Sequence, residues 1–195
     1  MPRKKRIESP SGVYHWIARG VNRKKLFRQL KDYAHFLNLT ADNAIRYNIK
    51  IFHYCLMTNH VHMLIHANDL KSLVDFSHYL KRLYAYYQSK TYKVTGATFE
   101  RMYRSKPVLD DIYLLECARY IDRNPLRAGI IKFLGEYPFS SYLAYATGVD
   151  DKLITLSSAY LALASTETER QKMYAEYVSR SRPQEEFANL SSVGL

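Results

Sequence analysis

Two apolar runs with only two residues between them set the frame for this chain. Asn48-Ile49-Lys50-Ile51-Phe52-His53-Tyr54-Cys55-Leu56-Met57 and His60-Val61-His62-Met63-Leu64-Ile65 are rich in β-branched and aromatic side chains, and Thr58-Asn59 alone joins them. So short a connection predicts an antiparallel hairpin. Side chains alternate along a strand, so His60 and His62 leave one face while Val61 and Met63 leave the other. Two imidazoles side by side on a rigid strand can supply two ligands to a divalent metal. They can also be ordinary hydrogen-bonded histidines of a sheet.

The remaining elements fall around that hairpin in a definite order. Val13-Tyr14-His15-Trp16-Ile17-Ala18 reads as a strand stopped by Arg19-Gly20, and residues 33–46 carry helical spacing through Phe36, Leu37, Ala41 and Ala44. Residues 70–92 read as a long helix with Leu73, Phe76, Leu80, Tyr84 and Tyr87 along one face. A fourth strand is expected within residues 101–108. A helix then begins at Asp110 or Asp111, where a carboxylate suits both the cap and the macrodipole. Pro125 should end or kink it near Asn124. The predicted class is α+β: a ferredoxin-like βαββαβ sheet with its first and third strands central and adjacent, a following helix and a small C-terminal helical extension. The expected divisions are a basic flexible arm (1–12), a main domain (13–134), the helical extension (135–182) and a loose tail (183–195).

Charge narrows the choice of partner. A formal net charge of +11, a pI near 9.6 and 18 tyrosines favour a polyanion, with cations following phosphates and phenols stacking on unpaired bases. No basic amphipathic helix with a Trp or Phe face points to a membrane surface, and no apolar run approaches the roughly 18 residues of a membrane span. The basic N-terminus lacks the apolar core of a signal peptide. Cys55 and Cys117 have no metal-ligand or redox spacing, so the expected setting is reducing and cytoplasmic.

The second half of a candidate site lies in Glu116-Cys117-Ala118-Arg119-Tyr120-Ile121-Asp122-Arg123-Asn124-Pro125. Residues four apart share a helix face, which aligns Glu116, Tyr120 and Asn124. If that face covers the paired histidines, Asn124 can offer a carbonyl oxygen as a third metal ligand and Tyr120 stands beside the ion. A phenol, with a pKa near 10 in water, needs activation to act as a nucleophile. Its ordinary alternative is packing.

Together, Met57-Thr58-Asn59-His60-Val61-His62-Met63-Leu64 and Ala118-Arg119-Tyr120-Ile121-Asp122-Arg123-Asn124-Pro125-Leu126-Arg127-Ala128-Gly129 resemble the REP-associated tyrosine transposases, of the HUH class of single-tyrosine transposases. Arg19-Gly20-Val21-Asn22-Arg23 and Phe139-Ser140-Ser141-Tyr142 extend the resemblance, which runs over roughly residues 13–178. It implies that residues 13–134 form a catalytic domain, with His60, His62 and Asn124 holding magnesium or manganese. Tyr120 would attack single-stranded DNA beside a hairpin, giving a 5′-phosphotyrosine link and a free 3′-hydroxyl. It further implies a bacterial, nucleoid-associated protein acting as a monomer or homodimer. Arg19, Arg23, Arg104 and Lys106, which lie near the matched motifs, are the expected DNA contacts. The chain departs from the family pattern at Thr58, where proline is common, and at Asp122, where histidine often follows Tyr-Ile.

Two other readings stand beside this one. A protein of this fold can bind hairpins without cutting them. A metal hydrolase can instead activate water with His60, His62 and Asp110 or Asp111.

Overall fold

The computed structural model describes residues 6–181 of the 195. Four strands, β1 (Val13–Arg19), β2 (Ile49–Met57), β3 (His60–Ala67) and β4 (Arg104–Pro107), form one antiparallel sheet in the order β2-β3-β1-β4. The helices α1 (Leu30–Arg46) and α2 (Leu70–Tyr92) fall between strands, and α3 (Asp111–Asp122) follows β4. This is the expected βαββαβ sheet, with β1 and β3 central and adjacent.

Each face of the sheet has its own core. Tyr14, Trp16 and Ala18 of β1 and Val61, Met63 and Ile65 of β3 pack with Phe36, Leu73, Phe76, Leu80 and Tyr84 from α1 and α2. The opposite face meets α3 and the C-terminal helices α5 (Tyr142–Thr147), α6 (Ser158–Leu161) and α7 (Glu167–Ser179); between α3 and α5 comes the single turn α4 (Asn124–Arg127). There Phe52, Cys55, Met57 and Leu64 pack with Leu114, Cys117, Ile121, Tyr145, Tyr160 and Tyr174. Burying an aromatic side chain of this kind is worth about 1.5–3 kcal/mol, so the C-terminal helices are a substantial part of this second core.

A bulge decides which residues of β2 reach that face. The register against β3 pairs Ile51 with Ile65 and His53 with Leu64, so Phe52 is an extra residue. Ile49 and Ile51 point to the first core, whereas Tyr54 and Leu56 do so after the bulge. The parity change sends His53 and Cys55 to the second face. The chain after α4 then runs along the β2 edge, where Leu56 N donates to Phe139 O and Ser141 N to Tyr54 O. That edge is thereby covered.

Two details differ from the sequence reading. Helix α1 begins at Leu30, not near residue 33, because Gln29 and Asp32 form a reciprocal capping box. Ser9 and Ser11, expected in a flexible arm, instead donate through their hydroxyls to the Val108 carbonyl, and the Ser9 amide donates to the Tyr14 hydroxyl. The first five residues of that arm, and the tail expected at 183–195, lie outside the described residues.

Candidate active site

The tip of the β2–β3 hairpin is clamped by the loop after β1. Thr58 O accepts from the Leu26 and Phe27 amides, and Asn59 O accepts from the Gly20 amide. A β-carbon on Gly20 would lie 2.2 Å from the Lys24 carbonyl oxygen, so this close turn has no room for a side chain. The Asn59 amide works in both directions: Nδ2 donates to Arg23 O at 3.3 Å, and Oδ1 lies 2.7 Å from His60 Nδ1. An amide oxygen can only accept, so His60 carries its hydrogen on Nδ1 and keeps a lone pair on Nε2.

His60 and His62 share one face of β3, with ring centroids 5.0 Å apart. His62 is buried, and its Nδ1 lies 2.9 Å from Nε2 of His15, a buried residue of β1. Burial is the main reason both β3 imidazoles resist protonation. It pushes His60 down to about 4 and His62 well below the ordinary histidine value, with Arg19 adding to both shifts. Neutral imidazole is the form that ligates a metal. Nε2 of His60 is thus an available lone pair, and Nε2 of His62 is one when its hydrogen sits on Nδ1, so the pair fits a divalent cation. Among the described residues no three His, Cys, Asp or Glu side chains form a group that could hold a metal ion.

Tyr120 reaches His62 and His15 from α3. Its ring lies edge-on to His62 at 5.6 Å and to His15 at 5.9 Å between centroids. Helix α3 stops at Asp122, two residues after the tyrosine, and the chain resumes as α4 with Pro125 in its first turn, as the proline predicts. Asn124 Nδ2 donates to the Tyr120 carbonyl at 2.9 Å, which leaves its oxygen as the end suited to a cation. The exposed Arg127 sets its guanidinium 4.9 Å from the centre of the Tyr120 ring. Glu116, expected on the same helix face, instead accepts the Tyr177 hydroxyl of α7 at 2.6 Å.

The expected DNA-contacting cations are distributed unevenly. Arg19 stands opposite His60, while Arg104 and Lys106 stand opposite Ile17 and His15. Alternation therefore sends all three to the histidine face. Arg23 lies on the 3-10 turn Val21–Arg23 and connects to the site through its carbonyl. Asp110 caps the start of α3 by accepting from the Tyr113 amide, and Asp111 opens its first turn. Nine residues at about 1.5 Å each put Asp111 roughly 13 Å along the axis from Tyr120. Among the described residues neither carboxylate forms a metal-holding group with His60 and His62, the arrangement that the hydrolase reading needs.

Sequence reasoning passed over His15, Asn59, Arg127 and Asp122. Strand alternation offered a signal for His15, since it shares the parity of Ile17 and Arg19 on a strand expected beside β3. Asn59 and Arg127 stood inside the matched motifs. Asp122 gave no sign of its burial.

Comparison with known proteins puts this architecture among the transposases. The model of the IS200-like transposase family matches residues 9–124, more than half of the chain. The chain belongs to that family, and it is a DNA-cleaving transposase. A solved structure of a REP-associated tyrosine transposase bound to a REP hairpin aligns with a TM-score of 0.63 at 16% identity, over 82% of this chain and 96% of that one. The fold is therefore the one the two motifs suggested. A structure from Deinococcus radiodurans R1 aligns with a TM-score of only 0.44 at 18% identity, over 66% of this chain and 92% of that chain, too distant to bear on the fold. No curated protein matches the sequence. No helix among the described residues is long and apolar enough to cross a membrane.

Proposed function

We propose that this transposase is a metal-dependent, single-strand-specific endonuclease and strand transferase, acting beside DNA hairpins with Tyr120 as its nucleophile. The observation that carries the reading is the approach of Tyr120, on α3, to within 5.6 Å of the His62 ring on β3. In the cleavage step, Tyr120 Oη bonds to a backbone phosphorus and the bond from phosphorus to the 3′ oxygen breaks. The phenol loses its proton, and the leaving oxygen gains one to become a 3′-hydroxyl. The phosphodiester is exchanged, not hydrolysed, so the 5′-phosphotyrosine link retains the capacity to rejoin a new 3′ end.

His60 and His62, with the Asn124 oxygen, are the residues that would hold magnesium or manganese. Such an ion, when bound, would supply charge stabilisation at the phosphate oxygens and help to orient the scissile group. Arg19, Arg104 and Lys106 are suited to phosphates on the same face, and Arg23 to the flank. The hairpin in the similar REP-bound structure and the net charge of +11 support a folded single-stranded DNA as ligand.

A denaturing gel tests the reading. Labelled hairpin DNA from the repeats beside the gene is mixed with protein, with and without manganese, and compared with Tyr120→Phe. The expected result is a covalent protein–DNA band that needs both the metal and Tyr120. Cleavage that survives Tyr120→Phe would overturn it in favour of activated water. Tight hairpin binding with no covalent band, while manganese is shown to bind, would favour a non-cleaving regulator.

A further inference from the structure

His15 belongs to the same cluster, although it lies on a different strand from the two histidines of β3. Its Nε2 lies 2.9 Å from His62 Nδ1, both residues are 4% exposed, and the two ring planes are tilted by 30°. The antiparallel register pairs His62 with Ile17 and His15 with Leu64, so the two histidines are diagonal neighbours across the central strand pair. The strands that carry them are the two interior ones of the sheet.

Two facing imidazole nitrogens at this distance share one hydrogen: one is N–H, the other a lone pair. With the hydrogen on His15, a neutral His62 must carry its own hydrogen on Nε2, where it blocks coordination. With the hydrogen on His62 Nδ1, the Nε2 lone pair is free for a cation. Ligating histidines usually donate their second N–H to an outer acceptor, which fixes both tautomer and ring orientation. For His62 the atom in that place is His15 Nε2.

Resting on the metal reading above, we infer that His15 is a positioning residue, accepting the Nδ1 hydrogen of His62 so that Nε2 of His62 faces the divalent ion. Asn59 does the same for His60, so each ligand has its own acceptor, drawn from a different part of the sheet. His15 also packs against Tyr120, so one buried ring orients the ligand and supports the nucleophile.

The test is manganese affinity, read from the paramagnetic signal of free Mn2+ in the absence of DNA. His15→Phe keeps the ring volume but removes the acceptor, and should weaken binding about 10- to 100-fold. His15→Gln returns an acceptor near the position of Nε2 and should recover most of the loss. Equal weakness in both variants would reduce His15 to a packing role, and undiminished affinity in His15→Phe would also overturn the inference. Nitrogen-15 NMR of the unaltered magnesium-loaded protein needs no variant: a hydrogen on His62 Nδ1 is expected, and one on Nε2 would refute the assignment. If the unaltered protein binds no manganese, the metal reading falls and this inference falls with it.

Discussion

The Tyr174 hydroxyl of α7 donates to Asp122 Oδ2 at 2.7 Å, joining residues 52 apart in the chain. The other carboxylate oxygen accepts from Ser141 Oγ at 3.2 Å, and His53 Nδ1 lies 3.7 Å from Oδ2. Asp122 is 2% exposed and ends the helix that carries Tyr120. A carboxylate kept from water survives on its partners, here supplied by the β2 bulge, the segment before α5, and α7.

Removing one partner should therefore cost less than removing the hub. Tyr174→Phe deletes one charge-assisted hydrogen bond and is expected to destabilise the fold by about 1.5–3 kcal/mol. Asp122→Ala strands the buried Tyr174 hydroxyl and takes a contact from His53, while Ser141 Oγ keeps its hydrogen bonds to Tyr54, with an expected cost of about 3–5 kcal/mol. Urea unfolding of both variants and of the double mutant gives the coupling. An Asp122→Ala protein as stable as the parent would refute the hub.

Gly20→Ala probes the clamp on the hairpin tip. The added β-carbon would meet the Lys24 carbonyl at 2.2 Å, so the turn must move. A loss of about 1–3 kcal/mol is expected, in the range for forced overpacking. Because Gly20 N holds Asn59 O, amide exchange should also rise at the tip. Unchanged exchange there would show that the clamp is dispensable.

Acid should weaken the fold before the carboxylates begin to titrate. Burial holds His60 down to about 4 and His15 down to about 3, with Arg19 adding to the first and Lys106 to the second, against about 6.5 in an unfolded chain. Below pH 6.5 the unfolded chain binds protons that the native protein refuses. The contribution of these neutral rings is whole above 6.5 and is lost as pH falls through the window down to about 3. A urea midpoint lower near pH 5 than near pH 7.5 is expected, and a smaller difference in His15→Phe. A midpoint that is flat across this range would contradict the burial argument.

Arg104 offers a measure of backbone contact. It is exposed on β4 and shares the parity of His15 and Arg19. If it neutralises one phosphate of single-stranded DNA, Arg104→Ala should lower the slope of log affinity against log salt by about 0.7. The affinity loss should be similar across hairpin sequences. A sequence-dependent loss with the slope unchanged would mean that Arg104 reads a base instead.

The sheet and the Tyr120–His62 pair were legible because each rests on a local pattern. A two-residue connection implied the hairpin, alternation put His60 with His62, and Pro125 broke the helix after Tyr120. The bulge at Phe52 was not legible: β2 is buried on both faces, so Phe52 to Met57 shows no polar alternation to mark a slip. Asp122 stood out only as a departure from the family pattern, because its partners, Ser141 and Tyr174, lie 19 and 52 residues away. The tyrosine count left base stacking and core packing both open, and Tyr145, Tyr160 and Tyr174 take the second role, interior to the second core.

The cations beside Tyr120 are already engaged. Arg119 donates to the Tyr177 and Arg180 carbonyls, and Arg123 to those of Val178 and Ser179, where the last turn of α7 leaves carbonyls without helical partners. Two of the positive charges nearest Tyr120 in sequence thus serve as internal fasteners. The net charge of +11 therefore overstates what is turned toward a phosphate chain. A strand lying across Tyr120 would have to find its counter-charges on other elements, with Arg127 and Arg19 at hand, so its path would be steered by the end of β1 and the turn after α3, and not by α3 itself.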